Sequence, residues 1–326
     1  MSEAEVRQDG PHGQRPGREA TPGAKGGRRR GEQTMVPEAS FTSYYGRPII
    51  KQPTWEARDI AGYLFLGGLA GASSVLAAAA ELSGHRRLAR GAKVGALGAI
   101  SLSTAALIHD LGRPERFVNM LRVMKLTSPM SVGSWILSVY GPAAGAAAVT
   151  DLTGLFPRLG RTATAIAALA GPAVATYTAV LIADTAVPAW HEAHREMPFL
   201  FAGSSAAAAG GLGLILAPRG PARATAIFGA LLELGTGRLM RHRLGPQAKP
   251  YDQPLTHIAE AATAAGAGLA LLSGRRWLPR LLAGAGLLAG SALTRFAVFE
   301  AGRRSAADPQ YTVLAQRRPP REENTS

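Results

Sequence analysis

Ala61-Gly-Tyr-Leu-Phe-Leu-Gly-Gly-Leu-Ala-Gly-Ala-Ser-Ser-Val-Leu-Ala-Ala-Ala-Ala80 runs for twenty residues without a charge. Wound as a helix rising about 1.5 Å per residue, such a segment covers about 30 Å, the thickness of a bilayer's hydrocarbon core. The same kind of block recurs along the chain. Working outward from this one, apolar stretches occupy residues 59–80, 92–109, 132–150, 163–183, 198–217, 222–240, 257–273 and 277–300. The connections between them are short and collect the Arg, Lys, Asp, Pro and His that favour the membrane–water interface. The expectation is an all-α integral membrane protein with about eight transmembrane helices.

The 326 residues include 36 Lys and Arg against 22 Asp and Glu, a net charge of +14. These charges fall between the apolar blocks and not along one face, so the basic balance does not point to nucleic acid. The chain has no cysteine, which excludes a disulfide framework, Cys-ligated zinc and an iron–sulfur cluster held by this chain alone. Residues 1–38, rich in Gly, Pro and Arg, bury too little apolar surface to offset their ordering entropy and are expected to form a disordered basic tail. Residues 39–58 contain the aromatic stretch Phe41-Thr-Ser-Tyr-Tyr-Gly-Arg-Pro-Ile-Ile50 and read as an ordered arm. Residues 301–326 read as a flexible tail. An even number of spans puts both termini on one side, here called the N side, together with loops 110–131, 184–197 and 241–256. Basic residues divide evenly between the two sides, so the positive-inside rule leaves the orientation open.

Charges in or beside the spans carry the chemical information, because a charge in a span is costly and turns towards a cavity or a partner. Asp110, beside His109, closes the second span and Asp184 closes the fourth. Glu233 lies in the middle of the sixth and Arg295 near the C-terminal end of the eighth. Seven-residue spacing puts Tyr177 and Asp184 on one helical face, and Ser103 and Asp110 on another. Tyr63, Gly67, Gly71 and Ser74 form a small, partly polar stripe on the first span, of the kind that lets helix backbones approach closely. Glu233 and Arg295 read as a proton path or a buried ion pair, with the ion pair preferred. An echo between Leu107-Ile-His-Asp-Leu-Gly112 and Leu231-Leu-Glu-Leu-Gly235 suggests two related four-helix halves.

Four N-side segments add a resemblance: Ser43-Tyr-Tyr-Gly-Arg-Pro-Ile-Ile-Lys51, His109-Asp-Leu-Gly-Arg-Pro-Glu-Arg-Phe-Val-Asn-Met-Leu-Arg122, Thr127-Ser-Pro-Met-Ser-Val-Gly-Ser-Trp135 and Asp184-Thr-Ala-Val-Pro-Ala-Trp-His-Glu192. Together they resemble the NrfD family of polysulfide-reductase-type membrane subunits over about residues 40–300. The resemblance implies two four-helix bundles, residues 59–197 with a quinone site and residues 198–300 without one. It implies a quinone, menaquinone by preference, as cofactor, and neither haem nor iron–sulfur cluster in this chain. A ferredoxin-like iron–sulfur subunit would dock on the loops and connect to a molybdopterin-type catalytic subunit. The chain would then be a multi-pass anchor in the bacterial cytoplasmic membrane. It would pass electrons between the quinone pool and its partner, with proton translocation as an added capability.

Carried over by position, Asp110 and Arg113 match the family's charged pair at the end of the second helix. Tyr177 lies on the helix that carries a tyrosine near the quinone head group, and Tyr63 and Gly67 lie where the first helix would line the same pocket. The chemistry is expected from Tyr177 or His109 as donors and from Asp110 or Asp184 as proton relays, since acid–base groups must be in reach before anything else matters. Arg116, Arg122, Lys125 and Trp190 are expected to dock the partner. No metal site is expected. A haem b cytochrome would need paired histidines deep in facing spans, whereas His85, His109, His191, His194, His242 and His257 fall at span ends or in loops. Two alternatives stand beside the quinone reading: a proton or solute transporter built on Glu233 and Arg295, and a structural membrane anchor without quinone chemistry.

Overall fold

A computed structural model describes residues 50, 53, 57–111, 115–217, 220–274 and 276–316. The expected disordered tail and Arg113 lie outside these residues, as does nearly all of the expected ordered arm. Among the described residues every regular element is helical. The α-helices are α1 (Ala57–Leu82), α2 (Arg86–Asp110), α3 (Glu115–Met120), α4 (Pro129–Thr153), α5 (Pro157–Ala183), α6 (Pro188–Glu192), α7 (Met197–Leu216), α8 (Gly220–Leu244), α9 (Pro254–Leu272), α10 (Trp277–Ala307) and α11 (Pro309–Gln316), with a 3-10 turn over Gly245–Tyr251 between α8 and α9. Proline marks the starts: α4, α5, α6, α7 and α9 each carry one in the first two positions, where its missing N–H costs nothing. Pro142 and Pro172 sit inside α4 and α5, which continue through them.

Among the described residues seven helices, α1, α2, α4, α5, α7, α9 and α10, are long and apolar enough to cross a membrane, so this is a multi-pass membrane protein. The block at 222–240, expected as a span, forms α8. It has the length, 25 residues, but it is less apolar because Arg223, Glu233 and Arg238 interrupt it before the terminal Arg241-His-Arg243. The C-terminal tail also differs from expectation. Residues 301–307 extend α10 and residues 309–316 form α11. Ser305 ties this end down by accepting a hydrogen bond from the Ala189 backbone N–H at 3.2 Å.

α1 packs against α2, α5, α7 and α10, and is the most enclosed of the spans. α4 packs on α5, α7 on α8, α9 on α10, and α10 on α7. Small residues set these crossings. At the α1–α5 crossing Gly71 and Gly171 face each other so closely that a Cβ on either would overlap the other's backbone. In lipid, where the solvent is as apolar as leucine, this close backbone packing supplies much of the association energy. At the far end from the N side, Lys93 of α2 meets Glu81 of α1 at 3.2 Å and Asp151 of α4 at 3.5 Å, tying three helices together.

Candidate functional site

The N-side end of α4 is fixed by Ser128, whose hydroxyl accepts from the Ser131 N–H at 3.5 Å, and by Pro129 in the first turn. From there α4 runs along α5. Gly133 faces the Tyr177 ring with no space for a Cβ between them. α1 contributes Tyr63, which is buried, and α2 contributes Asp110. The Ser103 hydroxyl of α2 donates to the Tyr63 carbonyl at 3.0 Å and sets the register of the two helices here. Tyr63, Asp110, Tyr177 and Ser134 line one cavity of about 580 Å³. Its walls are otherwise apolar, with Ile60, Leu107, Leu137 and Leu181 from the long helices and Met120 and Met130 at the rim. The arrangement is an apolar slot with two phenol hydroxyls and one carboxyl group converging on it, the usual composition of a small-molecule site.

Tyr177 also borders a second, wider cleft of about 1200 Å³, which opens towards the N side and includes Asp184, His191 and His194. The two imidazoles hold defined positions there: His194 Nδ1 donates to the His191 carbonyl at 2.9 Å, and His191 Nδ1 to the Ala183 carbonyl at 3.3 Å. The Tyr177 side chain therefore stands between an enclosed chamber and an open one.

Of the residues singled out in the sequence, Tyr63, Asp110 and Tyr177 share the enclosed cavity, and Asp184 borders the open cleft. Gly67 lies a turn away from Tyr63, where a Cβ would meet Ser103 Oγ at 3.4 Å and Val174, so it serves packing and does not line the cavity. His109 is exposed and its Nδ1 lies 2.9 Å from Asp59 Oδ2, outside the cavity. Arg113 lies outside the described residues. Arg116, Arg122 and Lys125 are exposed in and after α3, among the exposed apolar side chains of Val118, Val123, Met124 and Leu126.

Trp190, expected on the docking face, requires correction. It is fully buried, its indole N–H donates to the Val298 carbonyl at 2.7 Å, and its ring packs on Phe299. It is a core residue beneath the loop. Glu233 and Arg295 lie in one buried polar cluster without a direct salt bridge. Thr294 donates to Glu233 at 2.6 Å, and Arg295 Nη2 donates to the Phe201 carbonyl and the Ser205 hydroxyl, both at 2.9 Å. Their hydrogen-bond partners are hydroxyl and carbonyl groups, while the two charges act on one another across the cluster. Gly133, Ser134, Met120 and Met130 also line the cavity, and nothing in their residue types marks them, although all four lie inside the segments that carry the family resemblance.

Among the described residues no group of three or more His, Asp or Glu side chains is arranged to hold a metal ion. No curated protein matched the sequence. A family model described as Polysulphide reductase, NrfD, matches residues 52–240, a stretch that contains every residue of the enclosed cavity. With that match extending over more than half of the chain and with seven apolar helices behind it, the protein belongs to the NrfD family of membrane proteins.

Proposed function

We propose that the chain is the quinone-interacting membrane subunit of a bacterial respiratory oxidoreductase, located in the cytoplasmic membrane. In this reading α8 is an eighth span, α1, α2, α4 and α5 form one four-helix group, and α7 to α10 form another. The observation that carries the reading is the convergence of Tyr63, Asp110 and Tyr177, from three different helices, on one apolar cavity. Leu107, Leu137 and Leu181 offer apolar walls to a flat ring, and a carbonyl at the edge of such a ring needs a hydrogen-bond donor, which a phenol hydroxyl provides. A quinone, menaquinone by preference, supplies two-electron, two-proton redox chemistry when bound. The chain's own part is to bind and orient the head group through Tyr63 and Tyr177, to exclude water, and to hold a proton at Asp110.

Electrons come from or go to a ferredoxin-like iron–sulfur subunit, which itself serves a molybdopterin-type catalytic subunit. The exposed segment around Arg116, Arg122 and Lys125, with Val118, Val123 and Met124 between them, supports docking at this end: apolar side chains for contact and basic ones for orientation. Binding of a menaquinone analogue to the purified chain tests the proposal. Asp110→Asn and Tyr177→Phe are each expected to weaken binding about tenfold, the equivalent of one lost hydrogen bond at about 1.4 kcal/mol. Unchanged affinity in both variants, with the helices intact, would sink the assignment of this cavity. If the wild-type chain binds no analogue either alone or with its iron–sulfur partner, the structural-anchor alternative takes its place.

A further inference from the structure

The second half of the chain buries an acid and a base that the cavity around Tyr177 does not use. Glu233 is 3% exposed in the middle of α8, with Oε1 accepting from Thr294 at 2.6 Å and Oε2 from Thr263 at 3.4 Å. Arg295, fully buried on α10, spends one amino group on Phe201 and Ser205 and lays its guanidinium 3.7 Å above the Phe201 ring. Its Nε and Nη1 are left without a partner, and so is the buried hydroxyl of Thr256. Unmet donors on a buried cation are expensive, and buried water is the ordinary remedy. On its Glu233 side the cluster borders a recess whose walls are mostly apolar. A cleft of about 400 Å³ between α8, α9, α10 and the 3-10 turn begins at the Arg241–Glu260 ion pair, passes Gly237 and Thr256, and ends on Glu233 and Thr294.

We propose that Glu233 is a proton-exchange site, reached from the N side through this cleft and separate from the cavity of Tyr63, Asp110 and Tyr177. The groups that face it define its ligand. α10 presents Arg295 and Thr294, α9 presents Thr263, and α7 presents Ser204. At the mouth stand Arg241 of α8 and Glu260 of α9, and the buried Tyr251 of the turn lines the cleft further in. With a buried guanidinium in the same cluster, a metal cation would find only the carboxyl group and a few hydroxyls as ligands, whereas a proton needs no coordination shell and neutralises the carboxyl directly. Water held at Thr256 and at the Arg241–Glu260 pair would carry the proton along the cleft.

Infrared spectroscopy of the purified full chain in buffers from acid to alkaline pH tests the site. The wild type is expected to show a carboxylic C=O band that shifts down in deuterium oxide and is missing in Glu233→Gln. Gly237→Leu places a side chain in the cleft beside Leu200 and the Arg241–Glu260 pair while leaving Glu233 in place. It is expected to slow the deuterium shift at least tenfold, with quinone-analogue binding unchanged as the check that the first half is intact. A spectrum without any Glu233-dependent band, or exchange in Gly237→Leu as fast as in the wild type, overturns the proposal. Because neither readout involves the quinone cavity, failure here leaves that assignment untouched.

Discussion

At Gly133 one absent Cβ decides where the Tyr177 ring can sit. An alanine there must displace the phenol or push α4 away from α5, and overpacking of this kind costs about 1–3 kcal/mol. Gly133→Ala is therefore expected to weaken quinone-analogue binding by about tenfold, since the hydroxyl moves while every other cavity group stays. The decisive comparison is the double variant. If Gly133 acts through Tyr177, Gly133→Ala combined with Tyr177→Phe binds about as weakly as Gly133→Ala alone, and additive losses would show two independent effects. Tyr63, Asp110 and Tyr177 were legible in the sequence because a polar group in or at the end of an apolar span has few places to go. Gly133 and Ser134 were not, because which face of α4 meets α5 depends on the crossing of two helices whose sequences are nearly uniform in small residues. Trp190 misled for a different reason. His191 and Glu192 beside it give the segment the look of a solvated loop, yet the tight approach of the indole to Gly302 lets it sink into the core.

Among the elements, α1, α2 and α4 depend on one side chain at the end away from the N side. Lys93 is 4% exposed and reaches both Glu81 and Asp151, while Arg90 reinforces the Asp151 end at 2.8 Å. Replacing it with methionine keeps the stem's packing and removes the charge. The two carboxylates are partly solvated, so they lose less than fully buried ions would, and Lys93→Met is expected to cost about 1–2 kcal/mol. The thermal unfolding midpoint in detergent should fall, while quinone-analogue affinity, set at the opposite end, should not change. A variant that unfolds like the wild type would show that close packing alone, as at Gly71 and Gly171, holds these helices. The long helices were readable because twenty apolar residues admit few other structures in lipid. The short ones, α3, α6 and the 3-10 turn, were not. Each has too few residues for a periodicity, and each is held by tertiary contacts such as the bond from the Tyr251 hydroxyl to the Ala189 carbonyl at 2.8 Å.

For the whole molecule the open term is α8, because it decides whether the chain crosses the membrane an odd or an even number of times. Its composition falls short of the other seven, yet its charges are placed as a spanning helix requires. Glu233 points inward, and Phe228, Leu231 and Leu239 form an exposed apolar face that nothing among the described residues covers. Arg223 lies near one end, while Arg238, Arg241 and Arg243 lie near the other. Arginines at helix ends extend their guanidinium groups to the interface while their stems stay in lipid. The 15 positions from Arg223 to Arg238 cover about 22 Å at about 1.5 Å each, which leaves both within reach of the headgroups. A chain without cysteine makes the test direct. In sealed vesicles, Lys249→Cys and Lys125→Cys are expected to react with a membrane-impermeant maleimide from one side, and Gly220→Cys and Ser83→Cys from the other. Labelling of Gly220→Cys and Lys249→Cys from the same side would make α8 a helix that lies against the bundle without crossing. The termini would then face opposite compartments, and the mouth of the Glu233 cleft could no longer share a side with the Tyr177 cavity.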